Sequence, residues 1–77
     1  MNKLINLTID CIEIVAKQNH RKEIALKQDT DILNETNLDS LDLAQVVIML
    51  EEKTGKDPFA KGFINFRTIQ DLAALYE

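Results

Sequence analysis

The hydroxyl with the most distinctive setting in this chain is Ser40, in the run Asn37-Leu38-Asp39-Ser40-Leu41-Asp42. Asp39 reads as a helix N-cap, and Asp42 three residues on resembles the second half of a capping box. Both acids suit the positive end of a helix dipole. Ser40 therefore falls in the first turn of a helix, after a long connection, where its hydroxyl is exposed. Backbone N–H groups at such a turn favour a phosphate; taken alone, the position equally suits an ordinary capping residue. Serine hydrolysis would need a positioned base, and the only histidine, His20, lies in a polar His20-Arg21-Lys22 cluster that reads as solvated loop. Two glycines in the whole chain exclude a phosphate-binding loop or a dinucleotide fingerprint. A calcium loop counted from Asn37 fails as well, because Asp42 stands where its glycine belongs and Ile48 where its glutamate belongs. The residues thus give no catalytic set and no metal set.

Three helical segments must hold this serine. Leu4, Leu7, Cys11 and Val15 recur at helical spacing over about Lys3–Lys17, widened by Ile5, Ile9, Ile12 and Ala16, with Asn6, Asp10, Glu13 and Lys17 on the polar side. A long connection follows to about Asp39, with Ile24, Leu26, Ile32 and Leu33 as apolar anchors that make it pack across the domain. The second main helix runs from Asp39 to about Thr54, with Gly55 as its C′ residue and Pro58 blocking continuation. Pro58 to Phe66 reads as an irregular piece of about one helical turn carrying Phe59, Phe63 and Phe66. Thr68 caps the last helix with Asp71 three residues on, and Ile69, Leu72, Ala73 and Tyr76 face inward. The expected fold is all-α, a small bundle of three principal helices with a short one before the last.

Seventy-seven residues allow one domain, spanning 1–77. A chain of this size buries only about 60% of its unfolded surface and builds no deep cleft, which argues against most self-contained enzymes. The lone Cys11 closes no intramolecular disulfide and fits a reducing compartment. A hydrophobic fraction of 45% supports a real core, and an aromatic fraction of 5% without Trp makes that core aliphatic. A net charge of −4 lacks the basic footprint of nucleic-acid binding and points to partners with basic surfaces. No apolar run approaches the roughly 20 residues of a membrane span. Nor does the N-terminus have the uninterrupted apolar stretch of a signal peptide. The chain reads as cytoplasmic and monomeric.

The second main helix carries more apolar surface than one core contact requires. Leu43, Val46, Val47 and Leu50 form a stripe toward the core, while Leu41, Ala44 and Ile48 form a second one. Asp39, Asp42, Glu51 and Glu52 bracket that second stripe. An apolar strip with acidic ends fits docking to a basic-rimmed partner. A fully buried central helix fits the same pattern.

Asn37-Leu38-Asp39-Ser40-Leu41-Asp42, Leu50-Glu51-Glu52-Lys53-Thr54-Gly55 and Thr68-Ile69-Gln70-Asp71-Leu72 together resemble the acyl carrier protein family across the whole chain. The resemblance implies a four-helix bundle in which Ser40 receives 4′-phosphopantetheine from coenzyme A through a phosphopantetheinyl transferase. The thiol of that arm carries acyl intermediates as thioesters in fatty acid, lipid or polyketide-type biosynthesis. It further implies docking of ketosynthase, dehydratase, reductase or acyltransferase-type enzymes around Asp39, Leu41, Asp42, Ala44, Ile48, Glu51 and Glu52. It also implies a shelter for the acyl chain at Val47, Leu50, Phe66 and Ile69.

The chain departs from the family pattern in several places. Gln45 stands where an acid is common, Asp57-Pro58-Phe59 replaces an apolar-Pro arrangement, and Lys56 and Lys61 enter an acidic stretch. These departures suit a specialised rather than a housekeeping carrier. A peptidyl carrier of nonribosomal synthesis is the alternative, but Asn37-Leu38-Asp39 lacks the glycine pair such carriers show before the serine. A plain helical interaction module is the third reading.

Overall fold

The computed structural model describes residues 3–77. Four helices follow in order: α1 (Lys3–Gln18), α2 (Ile32–Glu35), α3 (Ser40–Thr54) and α4 (Ile69–Ala74). The two long helices pack on each other, and α1 also packs on α4. The buried positions carry the helical period: Thr8, Cys11, Ile12 and Val15 on α1, Val46 and Leu50 on α3, then Ile69, Leu72, Ala73 and Tyr76 at the C-terminal end. Thr8 enters the core because its hydroxyl donates to the Leu4 carbonyl at 2.7 Å, so no hydrogen-bonding group is stranded there.

Both expected capping boxes form. The Asp39 carboxylate accepts from the Asp42 N–H and the Asp42 carboxylate from the Asp39 N–H, and Thr68 and Asp71 do the same at α4. Gly55 ends α3 at φ 73°, a left-handed conformation that costs glycine little, and its N–H donates to the Glu51 carbonyl.

The short helix is not where the sequence puts it. Residues 58–61 make turns, with Ala60 N–H donating to the Asp57 carbonyl and Gly62 N–H to the Phe59 carbonyl, and residues 63–66 run on without a helix. The short element is α2, inside the long connection. Asp31 caps it by accepting from the Leu33 and Asn34 N–H groups, while Glu35 accepts from the Asp31 N–H at 2.7 Å. Ile32, fully buried, fastens α2 to the core. The last helix is also short, and its final residues tighten into i→i−3 hydrogen bonds that still bring Tyr76 into the core.

The connection is pinned at its far end. Asp31 and Thr68 form an antiparallel bridge, Ile32 N–H donates to the Arg67 carbonyl and Ile69 N–H to the Thr30 carbonyl. The Arg67 guanidinium adds a contact of 2.7 Å to Asp31, which holds that carboxyl down at about 2. Loop and last helix thus form one piece, and α3 is left with one face open.

Tyr76 is buried, yet its hydroxyl has no hydrogen-bond partner among the described residues. Burial, with the negative charges of Glu51 and Asp57, pushes this phenol up to about 12. A buried hydroxyl left unpaired costs about 1–3 kcal/mol. Tyr76→Phe is therefore expected to raise stability by about 1 kcal/mol, whereas Leu72→Ala lowers it by about 2–5 kcal/mol. Urea unfolding of both variants checks the pair; a Tyr76→Phe protein less stable than wild type contradicts the orphaned hydroxyl.

Candidate functional site

The turn after α1 prepares the start of α3. His20 adopts φ 57°, a left-handed conformation in which histidine is enriched over most side chains. With it the helix closes in a Schellman pattern: Arg21 N–H donates to the Ala16 carbonyl at 2.8 Å and His20 N–H to the Lys17 carbonyl at 3.3 Å. That reversal aims Asn19 and Arg21 at α3. The Arg21 Nε donates to Asp42 at 2.8 Å and its Nη2 to Asp39 at 3.0 Å. Asn19 Nδ2 donates to Asp42 at 2.5 Å and to Gln45 at 2.7 Å.

Asp42 is only 2% exposed, and a buried charge must be paired and hydrogen-bonded. Its two oxygens receive Asn19, Arg21 and the Asp39 N–H. The Asp39 N–H, then the Arg21 and Asn19 donors, hold the Asp42 carboxyl below its ordinary value against the opposing effect of burial. Arg21 is raised in turn by the same contacts with Asp42.

Ser40, between the clamped acids, is exposed. It borders an open cleft of about 620 Å³ lined by Leu33 of α2, by Leu43, Ala44, Val47 and Ile48 of α3, and by Phe59, Gly62, Phe63 and Phe66 of the connecting turns. Residues 40, 43, 44, 47 and 48 share one face of α3 by the helical period, opposite the face of Asp42, Val46 and Leu50. The three phenylalanines form a wall across from that face, with ring centroids 6.0–6.2 Å apart in stacked, tilted and edge-on pairs.

The expected site residues therefore separate. Val47 and Phe66 line the cleft, as do Ala44 and Ile48 from the docking strip. Leu50 and Ile69 do not line it; both are fully buried in the core because they lie on the inward faces of their helices. Leu41 is 75% exposed and stands free of the cleft. Of the acids, Glu52 is exposed and Asp39 is shared with Arg21, but Asp42 points inward and offers no charge to a partner. Glu51 is half-buried and shares a hydrogen bond with Asp57; that bond, burial and the Asp57 charge raise the Glu51 carboxyl above its ordinary value. Arg21, Asn19, Leu33 and Phe63 were not singled out by the sequence pattern for this site. Cys11 is buried in the core, and burial pushes its thiol up, so it packs rather than reacts.

A helical bundle that presents one exposed serine at a capped helix start, beside an apolar cleft, has the build of a carrier domain. The family model described as phosphopantetheine attachment site matches residues 12–76, and the chain belongs to that family. It is therefore a domain that carries covalently attached 4′-phosphopantetheine, delivered by a phosphopantetheinyl transferase, and that hands its cargo to other enzymes rather than catalysing. The chain has no match among curated proteins or among solved structures. Among the described residues no helix is long and apolar enough to cross a membrane.

The Glu51–Asp57 pair has a pH signature. A carboxyl raised by folding binds its proton more tightly in the folded than in the unfolded chain, so stability falls as pH climbs above the ordinary value of 4.5. Asp42, lowered from 3.8, acts in the opposite sense, and its contribution is lost as pH falls below that value. Asp57→Asn removes the repulsion on Glu51. It is expected to raise the melting temperature at pH 7, with the gain fading once pH drops below about 4. Thermal unfolding of wild type and variant across pH 3–8 checks the window. A gain that persists unchanged at pH 3 contradicts it.

Proposed function

We propose that the chain is an acyl carrier protein, with the Ser40 hydroxyl as its attachment point and the apolar cleft as the resting place of a hydrocarbon cargo. One observation carries this reading over the peptidyl alternative. Ser40 is the only polar side chain among the cleft's lining residues. An aminoacyl ammonium drawn into that cleft would lose its hydration and find no partner, which is strongly unfavourable. A hydrocarbon chain gains from the same surroundings.

In loading, the Ser40 Oγ attacks the phosphorus of coenzyme A that bears pantetheine. The new bond is Oγ–P, the bond from that phosphorus to the diphosphate bridging oxygen breaks, and adenosine 3′,5′-bisphosphate leaves with the electron pair. The hydroxyl proton passes to a base of the transferase. When attached, the arm supplies a terminal thiol that holds the acyl group as a thioester. This chain's own contributions are an exposed hydroxyl, a helix start whose N–H groups and dipole favour an anion, and apolar walls. Gly62, at φ 133°, gives the wall a turn that other residues rarely adopt.

Docking of synthase-type partners fits the exposed Leu41 and Ile48, with Asp39, Glu51 and Glu52 around them. Asp42 is left out of that surface and acts as an internal pin. The aromatic wall and the neutral Gln45 support a specialised pathway over primary fatty acid synthesis. In this reading residues 1–77 form one carrier domain, monomeric and cytoplasmic, in keeping with a lone buried cysteine.

Apo protein incubated with coenzyme A and a broad-specificity phosphopantetheinyl transferase is expected to gain the mass of one phosphopantetheine, and Ser40→Ala none. Intact-mass measurement decides it; labelling of Ser40→Ala contradicts the assignment.

Shelter of the cargo has its own readout. A medium-length chain that buries on the order of 100 Å² in the cleft gains up to about 2.5 kcal/mol. The acyl-holo form is therefore expected to melt above the unacylated holo form, by up to about 10–20 °C. Calorimetry over a series of chain lengths tests this, and equal melting temperatures throughout contradict a sheltering cleft.

A further inference from the structure

Asp39 is next to Ser40 in the chain and Asp42 is two residues beyond it. A phosphodiester on Ser40 would put a third negative charge into the same helical turn. Charges this close lie within the screening length of about 8 Å at physiological ionic strength. The helix dipole offsets only part of that repulsion. Arg21 meets both carboxylates with one guanidinium, at 2.8 and 3.0 Å, from the turn that ends α1.

We infer that Arg21 is a positioning residue for the carrier function: by bridging Asp39 and Asp42 it fixes the first turn of α3 and offsets one of the two carboxylate charges that would oppose a phosphodiester on Ser40. The inference rests on the reading of Ser40 as the attachment point. The guanidinium acts through the two acids and needs no contact with the serine. Its planar fork suits the task, since a single ammonium cannot reach both carboxylates in fixed geometry. The residue in the middle is thereby left with its hydroxyl outward beside one net negative charge instead of two, and the helix dipole offsets part of that one.

A merely structural clamp would stabilise the apo and holo forms equally; a charge-balancing one favours the holo form. The test compares melting temperatures of apo and holo protein for wild type, Arg21→Gln, Arg21→Lys and the double variant Arg21→Gln/Asp39→Asn. Arg21→Gln is expected to lower the holo form by about 4 °C more than the apo form, with the excess shrinking in 1 M salt. The double variant is expected to close that gap, because asparagine keeps the N-cap while removing one charge. Arg21→Lys is expected to give a smaller gap of the same sign, and it carries the comparison where Arg21→Gln does not fold. Equal losses in apo and holo forms overturn the inference, as does a double variant whose gap widens. The initial rate of loading from coenzyme A is the second readout. It is expected to fall about fivefold in Arg21→Gln, and a wild-type rate overturns the link to loading. Ser40→Ala run alongside separates the two claims. If it takes the label, the attachment point itself is wrong; if it stays unlabelled while the holo and apo losses are equal, only the role of Arg21 is wrong.

Discussion

A carboxylate buried at the start of the longer of the two C-terminal helices organises this molecule. Asp42 cannot be left inside the fold without donors, and it takes them from three directions: the Asp39 N–H behind it, Asn19, and Arg21. Removing one partner of such a buried group strands the other. The end of α1, the start of α3 and the side chain of Gln45 are tied together by that requirement. Residue 40 then has no freedom to turn inward. The helical period that sends Asp42, Val46 and Leu50 into the core sends Ser40, Leu43, Ala44, Val47 and Ile48 to the opposite, open face.

The open face would be a liability in a chain that had nothing to put there. Leu33, Leu41, Ile48 and Phe63 are all large and substantially exposed, and contiguous apolar exposure marks a binding surface. Here it joins the candidate attachment serine. The fixed loop–α4 unit supports the far wall, because the Asp31–Thr68 bridge and the Arg67–Asp31 pair hold the α1–α3 connection against the segment that leads into α4. In the proposed reading, cargo shelter and partner docking draw on overlapping residues, Ala44 and Ile48 among them. A chain resting in the cleft and an enzyme seated on α3 would then compete for the same surface.

Much of this was legible before any coordinates. Asp39 with Asp42, Thr68 with Asp71, and Gly55 followed by Pro58 are local signals, and local signals set helix ends. The inward stripe of α4 follows from spacing alone. The misses have physical causes. The fourth helix was expected in 58–66, where three phenylalanines and a proline look like a packed turn, but those rings face a cleft and make no helical ladder. The true short helix is held by Asp31 with Glu35 four residues on, one residue outside the capping-box spacing. Arg21 escaped notice because its partners are 18 and 21 residues away, and no periodicity rule reaches across a loop. Asp42 was read as a capping acid that also brackets the docking strip; only the returning Arg21 shows that its charge is taken up inside the fold. Leu50 and Ile69, which the resemblance implies for an acyl pocket, lie in the core, because the faces of α3 and α4 that carry them turn inward.

The central claim is that cargo attached through Ser40 rests against α3 and the phenylalanine wall. The direct measurement is nuclear Overhauser contacts between a uniformly labelled protein and an unlabelled acyl chain on its arm. Contacts from the chain's methylene protons to the Phe59, Phe63 and Phe66 rings and to the Val47 and Ile48 methyls are the expected result. Contacts confined to the Leu50 and Ile69 methyls, or no contacts at all at any chain length, would contradict it.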